Sequence, residues 1–267
     1  MRTKNTIMKY AGCCVPVCAL RKEPSHRSEM TSQLLFGECC TVLEFGTDNW
    51  IKIKCRYDDY EGWCLLSHVV EIGEENYQNI DTHLTDEWVN EVEYNGQHMY
   101  IPLGSSLTSL NYGTAFWSKN PVKYAGKTWK SAEVKLSSKM IKQVAYRFLN
   151  TAYLWGGKSV FGIDCSGFSQ TVYKFLNFQL PRDAWQQAEK GEVVNSLKEA
   201  LCGDLAFFDN DEGKITHVGI ILNSKEIIHS SGKVRLDKLD SAGIENLETN
   251  QRTHKLKVIK RYLTMNE

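Results

Sequence analysis

Charge of one sign is the first thing this 267-residue sequence lacks. Lysine plus arginine equals aspartate plus glutamate at 32 each, so no net field draws the chain to nucleic acid or to an anionic membrane. Long apolar runs are missing too: none approaches the roughly 18–20 residues that span a bilayer, so no transmembrane helix is expected. The start, Met1 to Tyr10, has the positive charge of an export n-region, but the following stretch Ala11 to Leu20 is short and holds Pro16. It reads as no clear export signal. No two cysteines stand as Cys-x-x-Cys, which removes the usual zinc knuckle. Low-complexity tracts are absent.

What is present begins with nine cysteines, at 13, 14, 18, 39, 40, 55, 64, 165 and 202. An odd number with two adjacent pairs suits no disulfide framework. They read as small apolar fillers in a reducing compartment rather than a metal cluster, and a cytoplasmic location is expected on that ground. Export to the cell envelope is the alternative if a leader has been removed.

Along the chain the texture changes once. Residues 10–72 read as a small all-β unit, with Thr41–Phe45 and Trp50–Cys55 as β-prone segments between turn clusters. Residues 77–130 continue in that style, and Glu91 to Ile101 reads as a hairpin turned at Asn95-Gly96. Two small barrels in tandem are expected. After Trp129 the pattern turns helical: Met140, Ile141, Val144, Ala145, Phe148 and Leu149 make a helix stripe with Ser137 or Ser138 as N-cap. A second helix carries Phe168, Val172, Phe175 and Leu176, and a short third runs from Ala184 to Lys190, stopped by Gly191. Strands follow at Gly203–Phe208, Thr216–Leu222, Lys225–His229 and Lys257–Leu263. Helices first and antiparallel strands after imply an α+β domain over 135–267.

The chemistry centres on Tyr153 to Phe168, a glycine-rich approach to Cys165 at the start of the second helix. Unpaired N–H groups and the helix dipole there favour a thiolate, so Cys165 is the candidate nucleophile; a buried structural cysteine is the plain alternative. Such a nucleophile needs a base, and the base needs an orienting group. Five histidines (26, 68, 83, 98 and 254) read as solvated. His217 and His229 lie on strands joined by a short turn, directly opposite one another if the hairpin is centred on Asn223. His217 would pair with Cys165, and His229 would fix the tautomer of His217. Taken alone, the hairpin fits two satisfied core histidines equally well. Ala152 to Ser159 matches a loose phosphate-loop pattern, but no strand leads into it and no helix follows directly.

Six ordered segments carry a resemblance: Tyr153-Leu-Trp-Gly-Gly157, Asp164-Cys-Ser-Gly-Phe168, Leu180-Pro-Arg-Asp-Ala184, Gly203-Asp-Leu-Ala-Phe-Phe208, Thr216-His-Val-Gly-Ile220 and Ile227-Ile-His-Ser-Ser-Gly232. In this order they resemble the NlpC-type papain-like cell-wall peptidases, over about residues 137–263. The resemblance implies a multidomain protein, all-β SH3-like barrels followed by an α+β papain-like catalytic domain. It implies Cys165 as nucleophile, His217 as base and acid, His229 as orienter, and Tyr153 as a hydroxyl near the oxyanion. The Arg182-Asp183 pair is similar to that of γ-D-glutamyl-L-diamino acid endopeptidases of the dipeptidyl-peptidase VI type. Leu20 to His26 and Asp59 to Trp63 resemble the SH3-like domain that accompanies them. By that likeness Asp183, Glu23 and Tyr60 would receive a free amino terminus, and Asp164 and Ser166 would lie at the D-glutamate region. A carboxylate pair around an ammonium selects a free amine over an acylated one. The expected function is hydrolysis of the γ-D-glutamyl-L-diamino acid bond of peptidoglycan stem peptides (muropeptides), by a monomer, with no metal or other cofactor. The rival readings are a papain-like amidase or acyltransferase on another substrate, and a non-catalytic peptidoglycan-binding protein.

Overall fold

The computed structural model describes residues 8–79, 83–110 and 113–264. Residues 1–7 of the candidate export n-region lie outside them. The chain divides into two compact units, 1–130 and 131–267.

In the first unit, β1 (Tyr10–Cys13), β2 (Val17–Arg21), β3 (Met30–Leu35), β4 (Cys39–Phe45), β5 (Trp50–Cys55), β6 (Glu61–Leu65) and β7 (Val69–Glu71) form one sheet, ordered β3-β2-β6-β5-β4-β1-β7. On β5 the inward set Ile51, Ile53 and Cys55 alternates with half-exposed Lys52 and Lys54, the period of a half-buried strand. These inward residues meet Ala11, Cys13, Cys18, Leu20, Leu34, Cys40, Cys64 and Val69 in an apolar core. After the short helix α1 (Glu74–Gln78) come β8 (His83–Thr85), β9 (Val89–Tyr94), β10 (Gln97–Pro102), β11 (Thr114–Trp117), β12 (Asn120–Lys123) and β13 (Thr128–Lys130). The order β10-β9-β12-β11 makes a four-stranded sheet, with β13 paired to β8. Tyr94 faces Gln97 across Asn95 and Gly96, whose φ of 50° and 77° give the left-handed pair a two-residue hairpin requires.

The segments 10–72 and 77–130 also share a core. Phe36, Cys39 and Ile72 of the first pack with Val92, Ile101, Leu107, Trp117 and Val122 of the second, and the Phe36 and Trp117 rings lie 5.0 Å apart. Backbone bonds reinforce the seam, as where the Ser106 N–H donates to the Phe36 carbonyl at 2.9 Å. Each segment therefore buries part of its apolar surface on the other.

In the second unit, α2 (Ser138–Tyr146) begins as expected, the Ser137 hydroxyl accepting from the Met140 N–H at 3.2 Å. The two-residue strands β14 (Lys158–Ser159) and β15 (Gly162–Ile163) lead to α3 (Cys165–Phe175), and α4 (Ala184–Glu189) follows. Strands β16 (Glu192–Val194), β17 (Leu205–Asp209), β18 (Ile215–Asn223), β19 (Glu226–Ser231), β20 (Lys233–Asp240), β21 (Gly243–Glu245) and β22 (Arg252–Arg261) form an antiparallel sheet ordered β16-β22-β17-β18-β19-β20-β21. Because β21 also pairs with β22, six of these strands close on themselves. The expected amphipathic stripe understates α3: every residue but Lys174 is buried. Its polar members survive burial by internal bonds, Ser169 to the Cys165 carbonyl at 3.2 Å and Gln170 to the Leu180 carbonyl at 3.0 Å.

Candidate active site

Cys165 is the first residue of α3, and Asp164 is its N-cap. The Asp164 carboxylate accepts from the Gly167 N–H at 2.7 Å and from the Gly156 N–H at 2.9 Å. A Cβ at Gly167 would stand 2.3 Å from the Gly157 carbonyl oxygen, so only glycine lets the approach loop lie this close to the helix start. Arg182, 1% exposed, closes the network: its Nη2 lies 2.6 Å from Asp164 Oδ2, and its Nη1 donates to Asp164 Oδ1 at 3.1 Å and Ser166 Oγ at 2.9 Å. Asp164, Ser166 and Arg182 thus bond to one another beside the cysteine. Asp183, half-buried, is the N-cap of α4, and Gln186 accepts from its N–H at 3.1 Å.

On the sheet, the expected hairpin carries the two histidines in a shifted register. His229 pairs with Gly219, not with His217, because the turn is closed by Asn223 and Glu226 and so is centred beyond Asn223, with a bulge between Ile221 and Asn223 shifting the register by one residue. His217 and His229 are diagonal neighbours on one face, and their rings still meet, His217 Nε2 lying 2.8 Å from His229 Nδ1. Gly219 makes this lean feasible, since a Cβ there would stand 2.8 Å from that of His229. Beyond them, His229 Nε2 lies 2.9 Å from Asp237 Oδ2 on β20. Asp237 was not among the residues anticipated from sequence; its signal was strand parity, for Ile227 pairs with Asp237 as His229 pairs with Arg235. His254, expected to be solvated, is half-buried and stacked on His217, with ring centres 4.1 Å apart at 25°.

The electrostatics favour neutral groups. Burial, with the Asp164 carboxylate second, pushes the Cys165 thiol up to about 12, against the opposing backbone groups of Val218 and Ser166 and the Arg182 charge. The thiolate expected from the helix dipole is therefore not the resting form, because desolvation outweighs the dipole at a site only 7% exposed. Burial also drives His217 well below its usual value, with His229 and His254 adding to the effect. Tyr153 is half-buried, and burial first and nearby Cys165 second keep its phenol protonated and able to donate. The Val218 backbone beside the sulfur sets Cys165 against the strand that carries His217.

The rings of His217, His229 and His254 are the only group among the described residues with metal-ligand spacing, one nitrogen of each lying within 4.8 Å of the others. Two of them bond to each other, however, and the third lies nearly parallel to His217. A bonded pair with a third ring stacked on one of its members is better suited to proton transfer than to joint coordination of one ion. Glu23 and Tyr60 belong to the first unit: Glu23 is exposed in the turn after β2, and Tyr60 is half-buried against the β1–β7 core.

A buried helix-start cysteine against an antiparallel sheet that presents a bonded histidine pair is the layout of a papain-like thiol centre. Comparison with known proteins narrows the class. Residues 150–253 match the model of the NlpC/P60 family, and residues 20–69 match that of the bacterial dipeptidyl-peptidase Sh3 domain. The chain therefore carries an NlpC/P60 α+β domain behind an SH3-like β domain. It is 42% identical over 101 residues to the Gamma-D-glutamyl-L-lysine dipeptidyl-peptidase of Bacillus subtilis (strain 168), a match covering 37% of this chain and 34% of that protein. It is 22% identical over 257 residues to the Dipeptidyl-peptidase 6 of Lysinibacillus sphaericus, covering 83% of this chain and 88% of the relative. An NlpC/P60 family protein from Bacillus cereus ATCC 10987 shares its fold, with a TM-score of 0.77 at 20% identity over 96% of this chain and 100% of the other.

Proposed function

We propose that the protein is a cysteine peptidase that hydrolyses the γ-D-glutamyl-L-diamino acid bond of peptidoglycan stem peptides with a free N-terminal L-alanine, releasing L-Ala-γ-D-Glu. The observation that carries this reading is the His217–His229 hydrogen bond of 2.8 Å on the strand whose Val218 backbone meets the buried helix-start Cys165. With His217 Nε2 engaged by His229, Nδ1 is the nitrogen left to take the thiol proton. Sulfur then attacks the γ-carbonyl carbon, and the oxyanion forms near the donors of the helix start and of Tyr153. Collapse of the intermediate breaks the C–N bond, the leaving amine takes the proton from His217, and a thioester remains. Water, deprotonated by His217, attacks the thioester carbon; the C–S bond breaks, the acid is released, and the sulfur takes the proton back from His217.

The specificity half of the proposal rests on the match of residues 20–69 to a dipeptidyl-peptidase SH3 domain and on the relatives' names. Glu23, Tyr60 and Asp183 are assigned to the amine of the substrate. Asp164, Ser166 and Arg182 are assigned to its D-glutamate end, acting chiefly by fixing the helix start. We also place the protein in the cytoplasm, on its cysteine usage. The decisive experiment is incubation with L-Ala-γ-D-Glu-L-Lys and with its N-acetylated form, read by mass spectrometry. Cleavage of the first alone is expected. Failure on both removes the peptidase reading and leaves a wall-binding role, while equal cleavage of both removes the amine requirement and favours a broader amidase.

A further inference from the structure

We propose that Asp237 is a positioning residue that fixes the tautomers of both histidines, extending the site to a four-residue chain Asp237–His229–His217–Cys165. The inference rests on the thiol-centre reading of the site but not on the identity of the peptide. Asp237 is 1% exposed on β20, on the same sheet face as His229. Its two oxygens are committed: Oδ1 accepts from the Leu247 N–H at 2.8 Å and from Arg235 Nη2 at 3.1 Å, while Oδ2 faces His229 Nε2 and Arg235 Nε, each at 2.9 Å.

A carboxylate with two backbone or guanidinium donors on one oxygen and a guanidinium at the other is held ionised, and an ionised carboxylate only accepts. His229 must then carry its proton on Nε2, facing Asp237. That leaves His229 Nδ1 with a bare lone pair, so the 2.8 Å contact with His217 is made by a proton on His217 Nε2. The second ring is fixed in turn, its Nδ1 unprotonated and ready to accept from a thiol. A carboxylate at the far end of two imidazoles thereby decides which nitrogen of His217 is the base. Without it, the ring of His229 is free to place its proton on Nδ1, and His217 to present a protonated nitrogen to Cys165.

The test uses the full chain and two readouts besides turnover. Two-bond ¹⁵N–¹H correlation of the histidine rings should show Nε2–H tautomers for both His217 and His229 in the parent. Asp237→Asn, whose amide can donate as well as accept, should shift both rings toward Nδ1–H. It should also lower kcat by about 10²-fold with KM nearly unchanged, as expected when an orienting carboxylate loses its charge. Alkylation of Cys165 by iodoacetamide, with Cys165→Ala as background, should slow in parallel, and Asp237→Glu should recover part of the loss. A parent His229 in the Nδ1–H form overturns the inference without any variant. So does an Asp237→Asn protein with parental tautomers and alkylation rate. If no peptide is cleaved but tautomer and alkylation respond to Asp237, the peptidase reading fails and this inference stands.

Discussion

Cys40 and Cys165 are both buried, at 0% and 7% exposure, and burial raises the pKa of both thiols. Neither is a resting thiolate. Around Cys40 lie Ala11, Ile51, Ile53 and four further cysteines of the β1–β7 core. Around Cys165 lie a helix N-terminus, a phenol, a carboxylate bonded to arginine, and the strand of a bonded histidine pair. Thiol acidity therefore does not distinguish the candidate nucleophile from the filler. A placed proton acceptor does, because a neutral thiol becomes a nucleophile only as its proton leaves.

The largest expected effect breaks the symmetry outright. Cys165→Ala should lower kcat/KM by about 10⁴-fold or more, as loss of a nucleophile does elsewhere, while the melting temperature stays close to that of the parent. A variant that keeps parental activity would place the chemistry on another residue. Next is Arg182→Met, which probes what the polar surroundings of Cys165 are for. It strands Asp164, paired with Arg182 at 2.6 Å in the interior, so urea unfolding should show a loss of about 3–5 kcal/mol. Parental stability would mean that the ion pair does not hold the helix start.

The pH dependence sharpens the same contrast. His217 has a folded pKa well below the ordinary 6.5, so as an essential base it stays competent through neutral pH and is lost as pH falls through that depressed value. With the thiol near 12, no thiol ionisation should limit the rate in the neutral range. The kcat/KM profile should be flat from about pH 7 to 9 and drop about tenfold per unit on an acid limb below 6.5. A limb at or above 6.5 would indicate a thiolate–imidazolium resting pair instead. Stability should move the same way: His217, His229 and His254 all have lowered folded values, so the unfolded chain takes up protons first as pH falls below about 6.5, and acid weakens the fold.

Much of this was legible in the sequence wherever the signal is local. The Asn95-Gly96 turn, the Ser137 cap and the helix beginning at Cys165 depend on neighbouring residues and came out as read. Non-local pairing was not legible. The turn closed by Asn223 and Glu226, with the bulge after Ile221, sets His229 opposite Gly219, which no periodicity announces. Strand β20 reads Lys-Val-Arg-Leu-Asp-Lys-Leu-Asp, a charged alternation that suggests a solvated edge; pairing on both sides buried Asp237 and brought it to His229. The shared core of the first unit was hidden for a similar reason, since Phe36 and Trp117 are distant in sequence and meet only in the fold.

The smallest expected effect completes the comparison from the side of the filler. Cys40→Ala removes one sulfur from a packed core between β1 and β5, where Cys40 pairs with Ala11 and Cys55. The void is small, and no proton acceptor or substrate group is disturbed. A loss of about 1 kcal/mol in urea unfolding is expected, within the ordinary range for a single core truncation, with kcat and KM unchanged. Cys40→Ser, of nearly equal size, should cost more than Cys40→Ala, because its hydroxyl must find a partner among aliphatic neighbours. If the alanine variant lost activity while keeping its stability, the cysteines of the first unit would have a chemical role and the division between filler and nucleophile would fall.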